Sequence, residues 1–183
     1  MLDRLSVRYA TGIVPPGVVG VSVSTRVGSD HQLARLLQIG IVLEEVVEAR
    51  TSRHYQSLSV EARDLDEELE ALLEDAAEES AEHRARLEEL IADLDADSVP
   101  FEEIESLVAE RYGGGEDTDG VLYDQLCNEE TAYKFYDDLI EAVEGSDATF
   151  SVDRERLLGA LVEIREEEAE GVRRVTRIME RRD

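Results

Sequence analysis

Four segments of this chain repeat apolar residues in alternating steps of three and four. That is the period that brings side chains to one face of an α-helix. The first runs Leu37, Ile41, Glu44, Glu48, Thr51, Tyr55, Leu58, and the second Leu69, Leu73, Ala76, Ser80, His83, Leu87, Leu90, Leu94. The third runs Leu122, Leu126, Glu129, Tyr133, Tyr136, Ile140, Val143, and the fourth Leu157, Leu161, Ile164, Glu168, Gly171, Val175, Ile178. The pattern predicts helices over 30–58, 60–95, 119–144 and 152–181, with Ser29/Asp30, Ser59 and Ser151 where N-caps belong. Between the second and third helices the pattern breaks for longest. Ser98-Val99-Pro100 is followed by a short helical piece at about 101–112 and by Gly113-Gly114-Gly115. The expected fold is all-α: an antiparallel four-helix bundle with a long crossover connection between helices 2 and 3.

The first 30 residues differ from the rest. They contain Pro15-Pro16, four glycines and alternating valines, and only Asp3 and Asp30 are acidic. We read 1–30 as a mobile tail or an over-extended start, and 31–183 as the bundle. The whole chain carries 45 acidic against 19 basic residues, a net charge of −26, and Lys134 is the only lysine. Phosphate backbones and anionic lipids repel such a surface, so nucleic-acid and membrane-surface partners are not expected. Acidity with so little lysine resembles proteins of a high-salt cytoplasm, and a cytoplasmic location is expected. Cys127 stands alone, which excludes an internal disulfide and a tetrathiolate metal centre.

The stripes are most informative where they are interrupted. Glu48, Ser80, His83, Glu129 and Glu168 fall on buried lines near the middles of their helices. A buried carboxylate without a partner costs several kcal/mol or is driven neutral. Three of them with a histidine, drawn from four helices, call for a cation among them. Carboxylate plus imidazole suits iron, manganese or zinc. The halves of the chain also repeat. Glu48 and Glu129 each have a tyrosine seven residues on, Tyr55 and Tyr136, and Glu79-Ser80-Ala81-Glu82-His83 matches Glu167-Glu168-Ala169-Glu170-Gly171.

These residues resemble the ferritin-like, rubrerythrin-type family, and Glu129-Glu130-Thr131-Ala132-Tyr133-Lys134-Phe135-Tyr136 is similar to its E-x-x-A-Y-x-F-Y. The resemblance spans 31–181. It implies a four-helix bundle holding two iron or manganese ions between a Glu on helices 1 and 3 and a Glu-x-x-His on helices 2 and 4. This chain departs from the pattern twice, with Ser80 where helix 2 should carry Glu and Gly171 where helix 4 should carry His. The resemblance then implies one good metal position from Glu48, His83 and Glu168, a second left with Glu129 and a share of Glu168, and Glu79 or Glu82 as replacement ligands. Tyr55 and Tyr136 are expected near the metal, or as core aromatics bonded to a carboxylate. His31 and His54 are expected to be incidental, Cys127 a core filler, and the acidic runs solvated faces with only Glu168 turned inward.

The implied function is iron handling, or oxygen or peroxide chemistry, by a non-haem iron site with a separate electron donor. Two alternatives stay open: a bundle that has lost catalysis and serves as a structural or interaction module, and a zinc or manganese protein without redox chemistry. A homodimer is expected.

Overall fold

The computed structural model describes residues 27–57, 67–97 and 120–182, with side chains for all of these except 50–57. The described residues form four helices: α1 (Asp30–Ser57), α2 (Glu67–Ala92), α3 (Val121–Glu144) and α4 (Arg154–Arg182). The class is all-α, as the periodicity predicts. Ser29 caps α1, its hydroxyl accepting from the Gln32 amide at 3.2 Å. The cap of α4 is Asp153 rather than Ser151; its carboxylate accepts from the Arg156 amide at 2.8 Å. The Ser151 amide instead donates to Asp30 at 3.1 Å. Gly120 precedes α3 with φ of 134°, a conformation side chains disfavour, and no side chain caps that helix. Most of the expected tail, the helical piece at 101–112 and Ser59 lie outside the described residues. Val27 does not; it is buried, and its carbonyl accepts a hydrogen bond from Ser146 Oγ.

Contacts at the helix ends give the directions. Arg181, near the end of α4, pairs with Glu68 at the start of α2, and Arg156, near the start of α4, pairs with Asp93 just past the end of α2. Asp30 at the start of α1 accepts from the Asp95 amide beyond α2 at 3.0 Å, as well as from Ser151 before α4. Ser146, which holds Val27, follows α3. The starts of α1 and α4 and the ends of α2 and α3 therefore gather at one end. α2 and α3 run one way, α1 and α4 the other. α1 lies mainly on α2 and α3 mainly on α4, with lesser seams between α1 and α3 and between α2 and α4. Each helix is antiparallel to both neighbours. Arg154 closes the α3–α4 corner by donating to the carbonyls of Val143, Ser146 and Ala148 at 2.7–2.9 Å, satisfying groups the end of α3 leaves open.

The apolar core is in two parts. The larger lies towards the end where α1 begins and includes Leu33, Leu37, Leu87, Leu90, Tyr136, Leu139, Leu157, Leu161 and Ile164. The smaller, at the far end, holds Leu69, Leu72, Leu73, Val175 and Ile178. Between them sits a buried polar layer: Glu44, Ser80, His83, Gln125, Asn128, Glu129 and Glu168. Gly40 lets α1 come close beside this layer, since a Cβ there would stand 3.0 Å from Leu87 Cδ1 and 3.2 Å from Phe135 Cε1.

The stripe of α2 is buried from Leu69 to Leu94 as expected. On α3 the buried face is rotated from the expected line. Tyr133 is exposed, and Gln125, Asn128, Ala132, Phe135 and Leu139 are buried. On α1 burial reaches Glu44, while Glu48 has turned to the flank. No described helix is long and apolar enough to cross a membrane.

Candidate metal centre

Three buried side chains from three helices meet in the polar layer: Glu44 from α1, His83 from α2 and Glu168 from α4. One ligand atom from each lies within 4.8 Å of the others. His83 Nδ1 stands 3.0 Å from Glu168 Oε1 and 3.4 Å from Glu44 Oε1. Neither approach has hydrogen-bond geometry, so Nδ1 lacks a hydrogen-bond partner, as does Glu44 Oε2. Buried polar atoms without partners are rare and each needs an explanation. Here two of them belong to neighbouring members of the same group. Converging donors of this kind suit a cation, and two carboxylates with one imidazole suit iron, manganese or zinc.

Two of the three side chains are held from behind. Tyr136, fully buried on α3, donates its hydroxyl to Glu44 Oε1 at 2.5 Å. The other ring nitrogen of His83 lies 2.8 Å from Glu167 Oε2, and Arg86 clamps Glu167 through Nη1 at 2.8 Å and Nη2 at 3.3 Å. Binding Nε2 to Glu167 fixes the ring and leaves Nδ1 facing the interior. Beside Glu168, the carboxyl of Glu129 accepts from Gln125 Nε2 at 2.7 Å.

The electrostatics record how little water reaches the layer. Burial alone would lower the His83 pKa, but the carboxylates of Glu168 and Glu44 outweigh it and push it up to about 11. Burial lifts Glu168 well above the usual carboxylate range, and the neighbouring charges of Glu44 and Glu129 add to it against the pull of His83. Burial raises Glu129 as well. Burial also pushes the Tyr136 hydroxyl well above its ordinary value, with Glu44 adding to it, so it acts only as a donor. At the rim, burial would raise Glu167, but Arg86 and His83 outweigh this and lower it.

Of the residues singled out in the sequence, His83, Glu168, Glu129 and Tyr136 come together here. Glu48 does not. It sits on the flank of α1 with 38% of its side chain exposed and pairs with Arg84. Glu44, one turn earlier on the same stripe, takes the inward position. Both lie at helical spacing from Ile41, and spacing alone does not choose between them. Glu82 points to solvent, 65% exposed, beside Arg86. Glu79 is exposed as well, although partial desolvation raises its pKa more than nearby His83 and Arg174 lower it. Neither is drawn into the buried layer with Ser80, the position where the resemblance expects a glutamate. The Tyr55 side chain lies outside those described. The repeat that pairs Glu48 with Tyr55 does not carry over to Glu44, which has Thr51 seven residues on.

Gln125 and Arg86 went unremarked in the sequence, and Glu167 was expected on a solvated face, because each belongs to a polar face as easily as to a site; Glu167 instead meets His83. Gly171 has a role of its own. A Cβ there would overlap Glu129 Oε2 and stand 2.5 Å from its Cδ, so the carboxyl of Glu129 lies in the space a side chain would fill. Among the described residues, no other group of three or more acidic, histidine or cysteine side chains converges as a metal site would require. No family model, no curated protein and no solved structure matches this chain.

Proposed function

We propose that this chain is a metal-binding protein of the ferritin-like, rubrerythrin-related kind. Its centre holds one ion on Glu44, His83 and Glu168, and its function is iron handling or oxygen and peroxide chemistry. One observation carries the reading. Ligand atoms of three buried residues converge within 4.8 Å, and two buried atoms of these residues, His83 Nδ1 and Glu44 Oε2, have no hydrogen-bond partner. The parallel course of α2 and α3 supports the ferritin-like topology, because a connection between two helices that run the same way must return along the bundle.

The chain's own residues have distinct parts in this reading. Glu44 and Glu168 supply charge, and His83 supplies the nitrogen that favours a transition metal over calcium or magnesium. Tyr136 fixes Glu44, and Glu167 with Arg86 fixes His83. Three protein ligands leave coordination positions open, and bound iron would supply one-electron redox chemistry there toward oxygen or peroxide. The surrounding leucines exclude bulk water.

A second reading has its own support. With a pKa of about 11, His83 is an imidazolium that balances Glu44 and Glu168 unaided, as befits a bundle kept for its structure. Equilibrium dialysis of the full chain against anaerobic Fe(II), Mn(II) and Zn(II) in high salt separates the two. The metal reading expects close to one ion per chain, and affinity about tenfold or more weaker in Glu44→Gln and Glu168→Gln. Glu48→Gln should bind as the parent does. Peroxide consumption by the Fe(II)-loaded chain, and none by the Zn(II)-loaded chain, would assign redox chemistry. Absence of binding, or equal binding by every variant, leaves the scaffold.

A further inference from the structure

The place of Glu129 against Gly171 bears on how many ions the centre can take. Gly171 lies in the middle of α4, three residues on from Glu168 and so on the same face of the helix. A side chain there would enter the polar layer. Instead the carboxyl of Glu129, from α3, fills that volume: a Cβ at 171 would meet its Oε2 and Cδ, with Oε1 at 3.1 Å. Gln125 holds this carboxyl from its own helix at 2.7 Å. The residue is 6% exposed, so water does not compete for the position. A glycine in a helix interior is unfavourable by itself, which makes this contact its evident structural role.

We propose that Gly171 makes this a one-ion centre by ceding its space to Glu129, whose carboxyl fills the polar layer between α3 and α4 and leaves no room for a second ion beside Glu168. This rests on the metal-binding reading above. Gly171 is thus a residue that sets stoichiometry, and Glu129 is a plug rather than a ligand. Restoring a donor side chain at 171 must expel the plug. An imidazole there, with the released Glu129 and the free side of Glu168, would complete a second position.

Two measurements test this. The first needs no metal. Gly159 lies in the same helix with nothing within 4 Å of its would-be Cβ, so Gly159→Ala should raise the melting temperature of the chelator-treated chain through helix propensity. Gly171→Ala should lower it by several degrees. In a Glu129→Ala background, where the plug is gone, Gly171→Ala should raise it as Gly159→Ala does. A rise in the parent background, or a fall in both, overturns the plug.

The second is the Zn(II) stoichiometry of the full chain by calorimetry. The parent should take one ion and Gly171→His two. A Gly171→His chain that still takes one ion would show that Gly171 does not set the count, as would a parent that takes two. A parent that takes none refutes the metal reading itself, and with it the one-ion claim, while the melting series still decides whether Glu129 fills the notch.

Discussion

At the residue scale the centre depends on a few hydrogen bonds in a dry layer, where a group left without its partner costs more than the bond itself contributes. Tyr136→Phe keeps the ring but removes the donor to Glu44. It should destabilise the fold by about 1–3 kcal/mol, read from chemical denaturation, and should weaken metal binding by freeing the Glu44 carboxylate to turn. The pH response of the metal-free chain has a definite sign. His83, Glu129 and Glu168 all titrate higher in the fold than in the open chain. The fold therefore binds more protons than the unfolded state, and stability falls as pH rises. The His83 contribution is complete below its ordinary pKa near 6.5 and is lost as pH passes through about 11. Thermal melts should give a higher midpoint at pH 6 than at pH 9, and His83→Gln should flatten part of that slope. An unchanged slope would mean that the imidazole is not paired with the carboxylates.

At the element scale each helix contributes one register decision. α2 was legible almost residue by residue, because its buried line from Leu69 to Leu94 is broken only by small or aromatic polar residues between leucines. His83 and Glu168 were legible for the same reason. α1 was legible in its stripe but not in its site. Glu44 and Glu48 both follow Ile41 at helical spacing, and the tie is broken by Arg84 across the seam, which draws Glu48 outward, and by Tyr136, which holds Glu44 in. Neither partner is visible along one helix. On α3 the aromatics misled. Tyr133 looks like core, but its hydroxyl favours the surface, and the less apolar Gln125 and Asn128 are buried, Gln125 against Glu129 of the polar layer. Gly171 read as a lost ligand, and only the neighbouring helix reveals what occupies its place. Packing also sets the stability of the large cluster. Leu161→Ala, at a fully buried position, should cost about 2–5 kcal/mol in denaturant unfolding. A cost below about 1 kcal/mol would mean that the two halves of the core are far looser than their burial implies.

At the scale of the whole molecule the charge dominates. With a net charge of −26, the folded surface repels itself, and salt screens exposed charges over distances of about 10 Å at 0.1 M and about 3 Å at 1 M. The melting temperature should therefore rise steadily from 0.05 to 1 M KCl, and a fall would show that the surface ion pairs contribute more than the repulsion costs. This acidic exterior encloses a layer whose carboxylates can be neutralised by a proton, by His83 or by a metal, and the proposed function turns on the last. The most direct test is an anomalous-difference map from a crystal of the full chain soaked in Zn(II) and recorded at the zinc edge. The account expects one strong peak per chain in the buried layer, about 2.0–2.2 Å from His83 Nδ1 and from oxygens of Glu44 and Glu168. Peaks confined to exposed carboxylates, with that layer empty, would contradict it.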